Sequence, residues 1–186
     1  MRPLPHRPPL QRGFTLVELM ITVVISAVLI AIAIPNFRTL LRTKRVEAAT
    51  QALASSFKLA RIEALKRGRQ VTVCRSNTPD AAAASCAAGN GNWNTGWILF
   101  EDISPPRGTF NGNDTLIKVE APTSNAIDLT PTALYFLTFR PDGLPVQGNP
   151  VPNITLNVLP YGVSATDAGS ANRNIVISRV GRVSVN

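Results

Sequence analysis

Residues 13–35 read GFTLVELMITVVISAVLIAIAIP, and this stretch decides how the rest of the chain is organised. The 21 residues from Phe14 to Ile34 would form a helix about 31 Å long, which matches the thickness of a bilayer core. Glu18 is the one ionised side chain in the segment. Because a carboxylate is costly in hydrocarbon unless a partner meets it, we predict a membrane helix over residues 14–35 with a functional Glu18.

Two other interpretations of this segment stay open. The preceding cations Arg2, Arg7 and Arg12, together with the small residues Ala31 and Ala33, are also found in cleaved secretory signals. Such signals have an apolar core of only about 7–15 residues and lack an internal acid. The third interpretation is a plain anchor whose Glu18 reaches up to the membrane interface.

The octapeptide Gly13-Phe14-Thr15-Leu16-Val17-Glu18-Leu19-Met20 follows a short basic leader and resembles the processing site of type IV prepilins and type II secretion pseudopilins. The resemblance implies a leader over residues 1–13, cut by a prepilin peptidase between Gly13 and Phe14. It also implies methylation of the new amino group of Phe14 and polymerisation of the helix with other pilins or pseudopilins. In such a bundle Glu18 would meet the positive amino terminus of a neighbouring subunit.

Composition restricts the function of the remaining chain. The formal charge is +8, or about +5 without the leader, and a basic body indicates anionic partners such as nucleic acid or phospholipid. The single histidine, His6, lies in the leader, which excludes histidine-dependent triads and histidine metal sites from the mature chain. We find no nucleophile paired with a base and no phosphate-binding glycine loop. We therefore expect neither an enzyme nor a cofactor.

The two cysteines, Cys74 and Cys86, indicate on which side of the membrane the carboxyl-terminal part of the chain lies. Cations lie on both sides of the apolar segment, so the positive-inside rule does not choose a topology. A disulfide across the 12 positions between Cys74 and Cys86 would stabilise the fold by about 3 kcal/mol and would require an oxidising compartment. We predict this disulfide, with a periplasmic head on a single-pass anchor in a bacterial inner membrane. Two free thiols are the alternative.

Residues 36–68 continue the helix with an amphipathic pattern. Apolar residues recur at spacings of three and four on one face: Val46, Ala49, Leu53, Phe57, Ala60 and Ala64. Gly68 is typical of the position just past a helix end. The segment between Asn36 and Gln70 contains nine lysines and arginines but only two acids, Glu47 and Glu63. We interpret them as a solvated surface near lipid headgroups, with direct DNA contact as the alternative.

We predict that residues 69–186 form a β-rich head. The strand signals are β-branched or alternating runs bounded by glycine, proline and asparagine, at residues 71–74, 97–100, 116–119, 134–139, 154–158, 174–178 and a last run ending at Val185. A helix with one apolar face ahead of several antiparallel strands predicts an α+β fold with one helix layer and one strand layer.

Four segments of this head resemble the GspH/FimT group of minor pilins and pseudopilins. They are the loop between Cys74 and Cys86, residues 91–100, the turn at residues 139–143, and residues 178–183. With the octapeptide, the resemblance runs from Gly13 to the end. It implies a type IV pilin-like fold, with a long amino-terminal helix packed on a carboxyl-terminal antiparallel sheet region. Trp93 and Trp97 are expected to be core anchors, with ligand stacking as the alternative.

Two functions occur within this group. One is a subunit at the tip or in the initiating complex of a type IV pilus or a type II secretion pseudopilus, which share anchor, cut site and fold. The other is binding of double-stranded DNA, which FimT-like members perform through a Gly-Arg-x-Arg motif. Here Gly181 and Arg182 match, but Ser184 replaces the second arginine; Arg173 and Arg179 add positive charge nearby. Alternatively, Gly181 only makes a hairpin turn and the arginines solvate an edge strand.

A group of oxygen-bearing side chains is the remaining candidate site, in this case for a metal ion. It consists of Glu101, Asp102, Asn111, Asn113 and Asp114. Some pseudopilins bind calcium, but this spacing does not match a full EF-hand loop. We predict an ordinary Asx turn and no metal site.

Overall fold

The computed structural model of the protein describes residues 13–80, 82–89, 91–121, 127–131, 134–146, 153–164 and 166–186. Residues 1–12, which make up nearly all of the predicted leader, lie outside this description. The chain divides into two compact units, one that ends at Leu40 and one that begins at Leu41. One helix, α1 (Leu16–Arg67), contributes residues to both units.

Most of the described part of the first unit is the apolar part of α1. Its side chains are exposed around the whole helix: Val24 is 62% exposed and Leu29 is 63% exposed. Within the described part of the chain, no single helix has the length and composition of a membrane span. One bent pair of helical segments has this length and composition when the two are taken together: Leu16–Ile32 and Phe37–Arg67.

The second unit begins with the remainder of α1, which buries one face. Every residue of the predicted apolar face is at most 4% exposed: Val46, Ala49, Leu53, Phe57, Ala60 and Ala64. The helix ends at Arg67, and Gly68 occupies the predicted position just past its end. The φ of Gly68 is 64°, in the left-handed region, and its N–H donates to the carbonyl of Ala64 at 3.0 Å. This face therefore forms the wall of a core.

Nine strands follow in the described part of the second unit. In chain order they are β1 (Val71–Arg75), β2 (Trp97–Glu101), β3 (Thr115–Glu120), β4 (Ile127–Pro131), β5 (Phe136–Phe139), β6 (Pro145–Val146), β7 (Ile154–Pro160), β8 (Arg173–Ile177) and β9 (Val183–Val185). All of their pairings are antiparallel. The sequence predicts all of these strands except β4 and β6.

The strands form two sheets rather than one strand layer. The first sheet has the order β3-β2-β1-β5-β6 and the second has the order β4-β7-β8-β9. Both contribute inward-facing residues to the core that covers α1, for example Leu99 and Leu137 from the first sheet and Leu156 and Ile175 from the second. The fold is α+β, with a long amino-terminal helix and antiparallel sheets, which confirms the predicted class.

The opposite face of the first sheet carries a second, smaller apolar cluster. Its buried members are Cys74, Ile98 and Phe100, and Cys86 and Phe110 pack against them from the neighbouring loops. Alternation along β1 and β2 therefore sends one set of side chains to the helix and the other set to these loops.

Candidate functional site

The predicted cut site lies in exposed, non-helical chain. Gly13 and Phe14 precede the first residue of α1, and Phe14 is 80% exposed. A Cβ placed on Gly13 would have no atom within 4 Å. Both residues that flank the predicted cut are thus exposed.

Glu18 lies in the first turn of α1 and is exposed. Its backbone N–H donates to Oγ1 of Thr15 at 3.2 Å, but its carboxylate accepts no hydrogen bond and makes no ion pair with any other described residue. The hydroxyls of Thr22 and Ser26 instead donate to helix carbonyls one turn back, at 2.8 and 2.7 Å. The carboxylate of Glu18 is therefore exposed and without a partner among the described residues.

Cys74 and Cys86 form the predicted disulfide, with their Cα atoms 5.6 Å apart. This confirms the bridge and excludes the alternative of two free thiols. Sequence reasoning missed the neighbouring Arg75, which is only 7% exposed. Its guanidinium donates to Oδ1 of Asn77 at 2.7 Å and to the carbonyl of Ala88 at 3.0 Å. The disulfide thus joins the two ends of the loop, and Arg75 bonds to Asn77 inside it and to Ala88 just after it.

Trp93 and Trp97 are core residues, at 0% and 1% exposure. Each indole N–H has a partner inside the protein, the carbonyl of Leu134 for Trp93 and the hydroxyl of Ser56 for Trp97, both at 2.9 Å. Because both rings are covered and both donors are used, the structure supports the interpretation as core anchors.

The turn between β8 and β9 presents two arginines to solvent. The N–H of Gly181 donates to the carbonyl of Ser178 at 2.9 Å, and the N–H of Ser178 donates to the carbonyl of Arg182, also at 2.9 Å. Arg179 and Arg182 are both exposed, and neither guanidinium bonds to another described residue. We call residues 178–182 the basic turn.

Gly181 has a second role that the sequence does not reveal. It is buried, its φ is 74°, and a Cβ there would lie 2.2 Å from the carbonyl oxygen of Gly143 in the turn between β5 and β6. The same oxygen accepts a hydrogen bond from Nε of Arg61 on α1 at 3.1 Å. Glycine is required here because the two turns touch through their backbones. This contact holds the basic turn against the helix.

Arg173 does not join Arg179 and Arg182. It begins β8, at the opposite end of that strand from the basic turn, and Nη1 donates to the carbonyl of Asn172 at 2.9 Å. Its charge acts on α1: the pKa of Glu47 is lowered, chiefly by a hydrogen bond with Lys44 and to a smaller degree by Arg173. Ser184, at the position of the missing motif arginine, lies on β9 opposite Val176.

In the group of oxygen-bearing side chains, the carboxylates of Asp102 and Asp114 already accept hydrogen bonds from donors of the protein. Asp102 is buried and accepts hydrogen bonds from the hydroxyl of Thr72 at 2.7 Å and the N–H of Gly108 at 2.8 Å. Burial raises the pKa of Asp102, and these hydrogen bonds offset only part of the rise. One oxygen of Asp114 accepts two loop N–H groups and the other accepts the N–H of Asn111.

Among the residues that the structure describes, no three histidine, cysteine, aspartate or glutamate side chains are grouped so that they could hold a metal ion. Glu101 forms ion pairs with Arg67 and Arg69, both at 3.2 Å. Asn113 contributes its backbone N–H to Oγ of Ser104 at 3.1 Å. These carboxylates and turn residues organise the loop between β2 and β3, as an Asx-type turn does.

Comparisons with known proteins agree with this architecture. The family described as Type II transport protein GspH matches residues 49–181, and the prokaryotic N-terminal methylation motif matches residues 9–34. Two crystal forms of the type IV minor pilin FimU from Pseudomonas aeruginosa are similar, with TM-scores of 0.56 and 0.53 and identities of 17% and 18%. They cover 77% and 75% of this chain, and 89% and 91% of the FimU chains.

The minor pseudopilin EpsH from the Type 2 Secretion System of Vibrio cholerae gives a TM-score of 0.48 at 12% identity, covering 76% of this chain and 96% of EpsH. No curated protein matches the chain. Identities as low as those with FimU show a common fold alone, whereas the GspH match spans more than half of the sequence. The chain therefore belongs to the GspH/FimT family of minor pilins and pseudopilins.

Proposed function

We propose that this chain is a minor subunit of a type IV pilus or a type II secretion pseudopilus, located at the tip or in the initiating complex. It has no enzymatic role. The observation that carries the proposal is the exposed apolar helix with the unpaired Glu18, in a chain whose second unit has a closed core of its own. Other pilins or pseudopilins would cover that helix and pair with Glu18.

The proposal divides the chain into four functional segments. Residues 1–13 are a leader removed by a prepilin peptidase, and residues 14–35 are the inner-membrane and polymerisation helix. Residues 36–68 are the amphipathic helix that enters the head, and residues 69–186 are the β-rich periplasmic head. The exposed bond between Gly13 and Phe14 and the disulfide between Cys74 and Cys86 support this arrangement.

The mass of the mature protein tests this processing. Coexpression with a prepilin peptidase should give a chain that begins at Phe14 and carries one added methyl group, and Gly13→Asp should block the cut. An ordinary secretory signal would instead be cut after the small residues Ala31 and Ala33. A mature protein that begins beyond Ala33 would contradict the proposal, because it would have lost the helix that polymerises.

Binding of double-stranded DNA is a second candidate function, and the basic turn favours it. Arg179 and Arg182 are exposed and unpaired among the described residues, and the contact between Gly181 and Gly143 fixes the turn that carries them. Free guanidinium groups on a fixed turn are suited to phosphate contacts, which are independent of base sequence. Arg173, at the far end of β8, is not needed for this surface.

A salt titration tests the DNA candidate. Each phosphate contact contributes about 0.9 to the slope of log K against log salt concentration. Arg179→Ala/Arg182→Ala should therefore lower the slope by about 1.8 and weaken binding. The matched control, Arg42→Ala/Arg45→Ala, removes the same charge from exposed positions of α1 and should bind like the wild type. Equal weakening in both pairs would contradict a specific role for the basic turn.

A further inference from the structure

A cleft of about 240 Å³ lies where the end of α1 meets the loop after β2 and the turn between β5 and β6. Gly68 and Arg69 line it from the helix end, Asp102 and Arg107 from the loop, and Pro141 from the turn. Asp102, from the group of oxygen-bearing side chains, is one of its lining residues, and the arginines beside it are not among the candidate site residues. Its chemistry is set by two arginines and the acids beneath them.

The cations of the cleft face solvent, and the acids do not. The side chains of Arg69 and Arg107 are 58% and 48% exposed, whereas those of Glu101 and Asp102 are 11% and 0% exposed. Arg69 meets Glu101 through Nε at 3.2 Å, and Arg107 meets Asp102 through Nη1 at 3.3 Å. The remaining guanidinium nitrogens of both arginines bond to no other described residue. The open side of the cleft therefore presents unused, positively charged donors.

The turn between β5 and β6 joins this cleft to the basic turn. Pro141 lines the cleft, and two residues later Gly143 touches Gly181 of the basic turn and accepts the hydrogen bond from Arg61. Arg140, in the same connecting turn, is paired with Asp142. The cleft and the basic turn thus both contact the short turn between β5 and β6.

We propose that the cleft is a second phosphate-binding site for the DNA that the basic turn contacts, with Arg69 and Arg107 as its ligands. This inference rests on the DNA-binding candidate. Two guanidinium groups with free N–H donors match the oxygens of a phosphodiester, because a planar fork of donors can hold two oxygens at once. The site adds phosphate contacts without reading bases, and a duplex bound there spans the turn between β5 and β6.

The test measures binding of a short DNA duplex to the full-length protein in neutral detergent, by fluorescence anisotropy over a series of salt concentrations. Arg69→Gln/Arg107→Gln should lower the salt slope by about 1.8 and weaken binding at low salt. Arg42→Gln/Arg45→Gln, which removes the same charge from exposed helix positions, should leave the slope unchanged. The single variant Arg69→Gln, which leaves Glu101 paired with Arg67, should lower the slope by about 0.9 even if the double variant does not fold.

The outcomes separate this inference from the function on which it rests. If Arg179→Ala/Arg182→Ala lowers the slope but neither cleft variant does, the basic turn binds DNA and the cleft does not. An equal fall in the Arg42→Gln/Arg45→Gln control overturns the cleft site as well, because only total charge would then matter. If the wild type fails to bind the duplex at low salt, the DNA function and the cleft site fall together.

Discussion

The two halves of α1 are both rich in apolar residues but differ in what covers them. From Leu16 to Leu40 the large side chains are exposed on every side of the helix, as Val24 and Leu29 illustrate. From Val46 to Ala64 one face is closed, and Leu53 and Phe57 are 0% exposed. The apolar face of the second half is buried by other residues of the same chain. We infer that lipid or other subunits cover the first half, because a large apolar surface marks an interaction site.

The carboxylates of the two units show the same contrast. Asp102 in the head is buried and holds a hydroxyl and a backbone N–H, whereas Glu18 in the anchor has no partner among the described residues. A closed core can supply the donors that a buried acid needs. In the proposed assembly, the acid on the open apolar helix receives its partner from another subunit.

Truncating one side chain in each half should separate them most strongly. Phe57→Ala opens a cavity in the closed core and should cost about 3–5 kcal/mol of folding free energy. Leu29→Ala, on the exposed half, should leave the stability of the head unchanged. Urea denaturation of the full-length protein in detergent, followed by tryptophan fluorescence of the buried Trp93 and Trp97, measures both. Similar losses in the two variants would remove the distinction between the halves.

A pair of glycine substitutions tests how tightly the head is closed. Gly181 and Gly162 both have positive φ, at 74° and 70°, but a Cβ on Gly162 has no atom within 4 Å. Gly162→Ala should therefore cost only the backbone strain of about 1–2 kcal/mol. Gly181→Ala adds a clash with the carbonyl of Gly143 and should cost about 1–3 kcal/mol more. Equal losses of stability would show that the two turns can separate at no cost.

The smallest expected effect concerns the pH dependence of Asp102. Because burial raises its pKa in the folded protein, the folded state holds this proton more tightly than the unfolded state. The contribution of Asp102 to stability therefore falls as pH rises from acid values through the raised pKa. Asp102→Asn cannot ionise, so the difference in stability between the two proteins should shift in favour of the variant as the pH rises above the ordinary aspartate range of about 4. A difference independent of pH would contradict burial of a charged Asp102.

Local patterns in the sequence predict the elements well. The three- and four-residue spacing from Val46 to Ala64 identifies the buried face, and Gly68 identifies the helix end. The strands missed are those that local patterns do not mark: β6 has two residues, one of them Pro145, and β4 ends in Pro131. The division into two sheets is also absent from the pattern, because alternation shows which face is buried and not which strand is the neighbour.

Tertiary contacts account for the parts of the site that the sequence does not predict. The turn at Gly181 is readable, but its contact with Gly143 joins residues far apart in the chain. A buried arginine such as Arg75 contradicts the usual exposure of charge, and only the loop carbonyls around it explain its position. The cleft beside Arg69 and Arg107 likewise exists only once the helix end, a loop and a turn have come together.

Incorporation of Glu18→Ala into filaments tests whether the exposed half of α1 is an assembly surface. The variant should insert into the membrane and mature normally but be missing from the sheared filament fraction, detected with an antibody against the head. Glu47→Ala is the control, because this acid of the same helix pairs with Lys44 within the chain and should not affect assembly. If Glu18→Ala enters filaments at the wild-type level, an intersubunit partner for Glu18 is excluded.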